Sequence, residues 1–199
     1  MQEINNVFYI NLDKRVDRRL QIEGELEKLG LSGERITGVP TGACGCLKSH
    51  WNGLVNAAEK NLDYVIMLED DFLPVVDADT FKKHILEILN SNLEFDVLLL
   101  SYNMQKSEPV NDYPTLVRVL EAQTTAGYLI RCHYYQKLIS ILEWAHPLLQ
   151  ATGQHWHYAI DQAWKQLQPT GRWYAFNPRL GIQRESYSDL AGRIVAYDC

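Results

Sequence analysis

The sequence predicts an α/β domain with a mostly parallel central sheet flanked by helices. Three observations carry that prediction. Short apolar runs rich in β-formers alternate with segments whose apolar residues recur at helical spacing, the layout of strands joined by crossover helices. Two of the runs, Tyr64 to Leu68 and Val97 to Leu100, contain no polar break, as expected of strands buried on both faces. The first runs straight into Glu69, Asp70 and Asp71. Three carboxylates cannot sit unpaired inside such a strand, so they mark its carboxyl edge, which is where open α/β sheets bind ligands.

In chain order, Val7 to Leu12 predicts the first strand. A charged turn through Arg19 follows, then Leu20, Leu26 and Leu29 near helical spacing, with Gly30 as the stop. Arg15, Arg18 and Arg19 in that turn suit an anionic ligand, or else simply begin a solvated helix with Asp17 in its first turn. Arg35 to Val39 predicts a second strand. In Thr41 to His50 the two glycines let backbone approach a ligand closely. Leu47, Trp51, Leu54, Val55 and Ala58 then mark one face of a helix, whose N-terminal amides suit an anion. His50 is read one turn into this helix, as a structural imidazole or a site residue. After the acidic strand come a helix (Phe81, Ile85, Ile88, Leu89), a strand (Asp96 to Ser101) and a loop from Asn103 to Pro114. Thr115 to Leu120 predicts an antiparallel strand, and Thr124 to Ile130 a turn and a strand. Tyr135, Leu138, Ile139 and Leu142 predict a helix, His155 to Leu167 a short one, and Arg172 to Phe176 a late strand. The tail from Pro178 to Cys199 has little apolar periodicity before Ile194 and Val195.

The 199 residues suit a single domain able to bury a core without staples, at 46% hydrophobic and 22% charged content. A net charge of -6 with no basic run argues against broad nucleic-acid binding. No stretch reaches the length of a membrane span, and no leader pattern opens the chain. Cys44-x-Cys46 has no second pair at zinc-finger spacing. With Cys132 and Cys199 these residues read as reduced, buried thiols, in keeping with a cytoplasmic location. The 11 Tyr and 5 Trp serve the core, or line a carbohydrate or base pocket.

Residues two apart on a strand face the same way. Glu69 and Asp71 therefore converge, while Asp70 faces elsewhere unless the turn rotates it inward. A hard divalent cation relieves the repulsion of two such carboxylates. The plain alternative is that the acids only cap and solubilise a strand end.

Several blocks then resemble one family. Phe8-Tyr9-Ile10-Asn11-Leu12-Asp13-Lys14-Arg15 with Asp17-Arg18-Arg19 resembles the opening "INLD-R-xDR" of glycosyltransferase family 25. That family includes bacterial lipopolysaccharide glycosyltransferases and collagen galactosyltransferases. Gly42 to His50 resembles its "GEIGCALSH", with Ala43 where the family has Glu, a departure that bears on donor-sugar identity. Met67 to Asp71 is similar to its "LEDD" and Thr125 to Ile130 to its "T-x-GYLI". Asp161-Gln162 stands where a late acid is expected, and Gln183 with Ser188-Asp189 resembles the closing "Q…SD". The blocks occur in order over nearly the whole chain.

The resemblance implies a GT-A fold and an inverting, metal-dependent transfer of a hexose. The donor it implies is a nucleotide-diphosphate sugar, UDP-glucose or UDP-galactose foremost. The acceptor is a hydroxyl of a glycan or a hydroxylated protein. About residues 1–100 would hold the donor and about 101–199 the acceptor. Glu69 and Asp71 are then the expected ligands of Mn²⁺ or Mg²⁺, with Asp70 touching the donor or ligating through water. Asn11, Asp13 and Arg15 form the nucleoside cradle, and Arg15 and Arg19 reach phosphate. Lys48, Ser49 and His50 contact the nucleotide or donor sugar, and Gln183 closes over it. Asp161 is the expected general base, with His155 and His157 as alternates. Tyr128, Trp156 and Tyr158 either stack on sugar faces or pack the core. Two rival readings are a Mg²⁺-dependent phosphoester hydrolase and an inactive nucleotide-sugar-binding domain.

Overall fold

The computed structural model describes residues 3–188 and 193–195, with side chains through residue 185. One eight-stranded sheet runs in the order β2 (Glu34–Thr37), β1 (Val7–Asn11), β3 (Tyr64–Glu69), β8 (Gly127–Arg131), β5 (Val97–Leu99), β9 (Trp173–Phe176), β7 (Leu116–Gln123), β6 (Asn103–Pro109). β1 pairs parallel with β2 and β3, as β5 does with β9. β8 runs antiparallel to both β3 and β5, and β7 antiparallel to both β9 and β6. The sheet is thus mixed, a correction to the mostly parallel one expected. Its cause is that no helix interrupts the chain from β5 through β8, and strands joined without a helical crossover are free to reverse.

The period-2 alternation of β3 builds the two sides of the core. Val65 and Met67 face α2 (Gly42–Glu59), α4 (Cys132–Thr152) and α6 (Ile160–Ala163), while Ile66 and Leu68 face α1 (Val16–Lys28) and α3 (Ala78–Leu89). Two short helical pieces, α5 (His155–Tyr158) and a 3₁₀ turn at Trp164–Leu167, flank α6. β4 (Phe72–Pro74) leaves the acidic turn and pairs with β10 (Gly181–Gln183), and β11 (Ser186–Ser188) pairs with β12 (Arg193–Val195).

Local chemistry explains the boundaries. α1 ends in a Schellman turn: Leu31 N–H donates to Leu26 O at 2.9 Å and Gly30 N–H to Glu27 O at 2.8 Å, with Gly30 at φ +60°. α3 is capped by Asp77, whose carboxylate accepts from Thr80 N–H at 2.9 Å.

Four readings need correction. Leu20 is 65% exposed, because the buried stripe of α1 is Ile22, Leu26 and Leu29 at four- and three-residue steps. Asn103 to Pro109 is a strand rather than a loop: its side chains are nearly all exposed, so only main-chain pairing to β7 reveals it. Of the described cysteines, Cys132 is exposed, and Cys44 and Cys46 are half-buried, all three without a disulfide. Finally, the glycines do not form a loop ahead of α2. The helix starts at Gly42 itself, so His50 lies two turns in.

Gly45 is instead a close-approach glycine within α2. A Cβ there would lie 1.9 Å from Val39 O, in backbone that Ser49 pins by accepting from Val39 N–H at 2.9 Å and donating to Gly45 O at 2.6 Å. Neither strand nor helix can retreat cheaply. Gly45→Ala should therefore cost ~2–3 kcal/mol, read as a lowered urea midpoint; an unchanged midpoint would refute the contact.

Candidate active site

The carboxyl ends of β1 and β3 open, with the start of α2, onto a cleft of about 300 Å³. Glu69 is the last residue of β3, and Asp70 and Asp71 form the turn into β4. The turn brings all three carboxylates to the cleft, Asp70 included. Arg18 on α1 bridges two of them, with Nη1 at 2.9 Å from Asp70 Oδ1 and 3.3 Å from Asp71 Oδ2. Asn11 at the tip of β1 donates from Nδ2 to Asp70 Oδ2 at 2.7 Å and to Arg15 O at 2.9 Å. From the tail side, Gln183 Nε2 donates to Asp71 Oδ2 at 3.2 Å and Arg184 N–H to Asp71 O at 2.7 Å.

Asp71 Oδ1 makes no hydrogen bond, although the residue is buried. Burial first, and then the charge of Glu69, push the Asp71 carboxyl up to about 7, against the pull of Arg18. Burial also raises Asp70, opposed by Arg18 and Asn11. Three carboxylates held against one guanidinium, with a desolvated oxygen lacking any donor, fit an oxygen-seeking divalent cation.

Glu69 is held differently. His50 Nε2 lies 3.4 Å and Thr125 Oγ1 2.5 Å from its Oε1, leaving Oε2 for the cleft. Burial works against its ionisation, but the His50 and Thr125 hydrogen bonds and the Arg18 charge outweigh it and keep the carboxyl below its ordinary value. His50 is itself fully buried, its Nδ1 3.0 Å from the Tyr128 hydroxyl.

Asp161 sits in the first turn of α6 and accepts at Oδ2 from Thr124 N–H at 3.3 Å. Burial raises its carboxyl, and the charge of Glu69 adds to this. Thr124 has φ +84°, a costly conformation for a β-branched residue. That backbone aims one N–H at Asp161 while the next residue holds Glu69, so a single turn ties the two acids together.

The structure thus gathers Asn11, Arg15, Ser49, His50, Glu69, Asp70, Asp71 and Gln183 around the cleft. It does not bring Asp13, Arg19 or Lys48 there. Asp13 pairs with Arg35, Arg19 with Glu23, and the Lys48 ammonium rests 3.4 Å above the Trp51 ring. Asn11 and Ser49 spend their polar atoms on protein partners. Tyr128 is fully buried and stacks on His50 at 5.6 Å, so it offers no face to a sugar. His155, Trp156 and His157 are exposed on α5, while Tyr158 packs edge-on against Trp144 at 5.6 Å. Asp189 lies outside the described residues, and Ser188 is described by backbone alone. Sequence reasoning missed Thr125 as a partner of Glu69 and Arg18 as the counter-charge of the acids. Their signals were the Thr of the "T-x-GYLI" block and the Arg of the opening block.

Two solved structures share this fold. One is a glycosyltransferase involved in the glycosylation of the major capsid of PBCV-1: TM-score 0.55, 11% identity, 91% of this chain and 92% of that chain covered. The other is mannose-1-phosphate geranyltransferase from Thermus thermophilus: TM-score 0.52, 8% identity, 92% and 75% covered. The molecule is therefore a mixed α/β domain of a kind found among transferases. In sequence it is similar to glycosyltransferase 25 family members of Drosophila pseudoobscura pseudoobscura and Drosophila melanogaster. Each is 26% identical, over 172 and 175 residues, which cover 69% of this chain. The chain spans only 27% and 28% of those relatives. No family model matches it. Among the described residues no helix is long and apolar enough to cross a membrane.

Proposed function

We propose that this chain is a metal-dependent, inverting hexosyltransferase domain that moves a sugar from a UDP-sugar to an acceptor hydroxyl. The observation that carries this reading is the unpartnered, buried Asp71 Oδ1 at the head of a cleft holding three carboxylates. The similarity to glycosyltransferase 25 family members supports the choice of chemistry.

Glu69 and Asp71 would hold Mn²⁺ or Mg²⁺, with Asp70 beside them. When bound, such a cation supplies Lewis-acid stabilisation of the diphosphate leaving group. His50 and Thr125 keep Glu69 ionised and fix its orientation. Arg15 and Arg18 place cationic groups at the same cleft, where a pyrophosphate would lie. Asn11 and Gln183 brace the acidic turn from either side. Asp161 takes the proton of the attacking hydroxyl, and its raised affinity for protons suits that task. Residues of the β7–β8 turn and α6 thereby form the acceptor side, and the tips of β1 and β3 the donor side.

Calorimetric titration of UDP-glucose and UDP-galactose, with Mn²⁺ or with a chelator, tests the reading. Donor affinity should fall at least ~10-fold in chelator. Indifference to chelator would overturn it. Release of inorganic phosphate from simple esters would point to a hydrolase, and donor binding without turnover on any acceptor to a binding module.

A further inference from the structure

The cleft wall carries a second set of ligand-type atoms, of different chemistry from the acidic turn. Cys46 and His50 stand four residues apart on α2, on one face of the helix. Glu69 reaches them from the tip of β3. The thiol sulfur, an imidazole nitrogen and a carboxylate oxygen all lie within 4.8 Å of one another. The His50 Nε2 to Glu69 Oε1 separation, 3.4 Å, is close to the edge of a tetrahedron drawn around a cation with bonds of about 2.0–2.2 Å. Both of these groups are braced from behind. The other imidazole nitrogen meets the Tyr128 hydroxyl at 3.0 Å, and Glu69 Oε1 accepts from Thr125 at 2.5 Å. Tyr128 is itself fixed by the edge of Trp164, 5.5 Å away between centroids. A ligating histidine ordinarily has its second nitrogen anchored in this way. All three residues line the cleft, which gives a way in and room for a fourth ligand.

We propose that Cys46, His50 and Glu69 form a zinc-type cation site, three protein ligands with the fourth position open to the cleft. A thiolate, an imidazole and a carboxylate select zinc over the harder Mn²⁺ and Mg²⁺, which the all-oxygen turn at Asp70 and Asp71 suits better. On binding, the Cys46 thiol gives its proton to solvent and the thiolate donates to the cation. Glu69 is common to both sites. If the acidic turn is the catalytic metal site proposed above, zinc withdraws one of its ligands and inhibits.

The test measures binding, not turnover, so it stands or falls separately from the transferase reading. Zn²⁺ is titrated calorimetrically, and Co²⁺ spectroscopically, into the full chain, Cys46→Ser, Tyr128→Phe and Asp71→Asn. Co²⁺ should give a thiolate charge-transfer band and the intense visible bands of a tetrahedral site. Cys46→Ser should abolish the thiolate band and weaken zinc by more than ~100-fold, beyond what loss of an outer partner costs. Tyr128→Phe should weaken zinc by ~10–100-fold, and Asp71→Asn should leave both readouts in place. Absence of the thiolate band, or unchanged zinc affinity in Cys46→Ser, would overturn the site. So would an Asp71→Asn loss as large as that of Cys46→Ser. Should Cys46→Ser fail to fold, unchanged zinc affinity in Tyr128→Phe overturns it instead.

Discussion

Asp71→Asn is expected to reduce metal-dependent sugar transfer by ~10³-fold or more, while making the metal-free protein more stable at neutral pH. The first effect follows from removing a charged ligand. The second follows from burial. The folded-state carboxyl is raised from an ordinary 3.8 to about 7. The folded protein therefore holds a proton that the unfolded chain releases between those values. The group favours the fold most below pH ~4, and that contribution is lost as pH rises through about 7. A shift of about three units corresponds to at most ~4 kcal/mol. Asparagine keeps the shape and never ionises, so it escapes this loss. Arg18 retains Asp70 as a partner at 2.9 Å, so the guanidinium is not stranded. Urea midpoints in chelator, measured from pH 4 to pH 8, should fall for the wild type relative to the variant. Parallel profiles would remove Asp71 from its place as a desolvated acid.

Asp161→Asn should lower kcat by ~10²–10⁴-fold and leave donor affinity nearly unchanged. The amide oxygen can still accept from Thr124 N–H, so the turn should keep its shape. What is lost is a group able to take a proton. The acid limb of the kcat/KM profile should disappear with it. A collapse of donor affinity would instead make Asp161 a binding or metal residue.

The acidic strand was legible because burial on both faces demands an unbroken apolar run, and three adjacent acids end it. The helix of Phe81, Ile85, Ile88 and Leu89 was legible for the same kind of reason, since its spacing matches the turn of a helix. β6 was not, because an exposed edge strand is held by main-chain bonds that leave no mark on side-chain pattern. The reversal of β8 was hidden too. Strand direction is decided by the connections, not by the strand's own residues. At the site, the acids and Asp161 were visible as residue types. The partnership of His50 with Tyr128, 78 positions away, depends on which strands become neighbours. Lys48 and Arg19 carried the right charge but lie off the cleft, because helical phase decides which way a side chain points.

The inverted β8 has a further bearing on how such a domain can diverge. Because the strand runs backwards beside β3, it is the segment entering it, Thr124 to Ala126, that arrives at the acidic edge. An insertion or deletion there would re-aim the backbone amide on Asp161 while the tips of β1 and β3 stayed put. Acceptor choice and donor grip would then be separately adjustable, with one short stretch serving as the tuning screw.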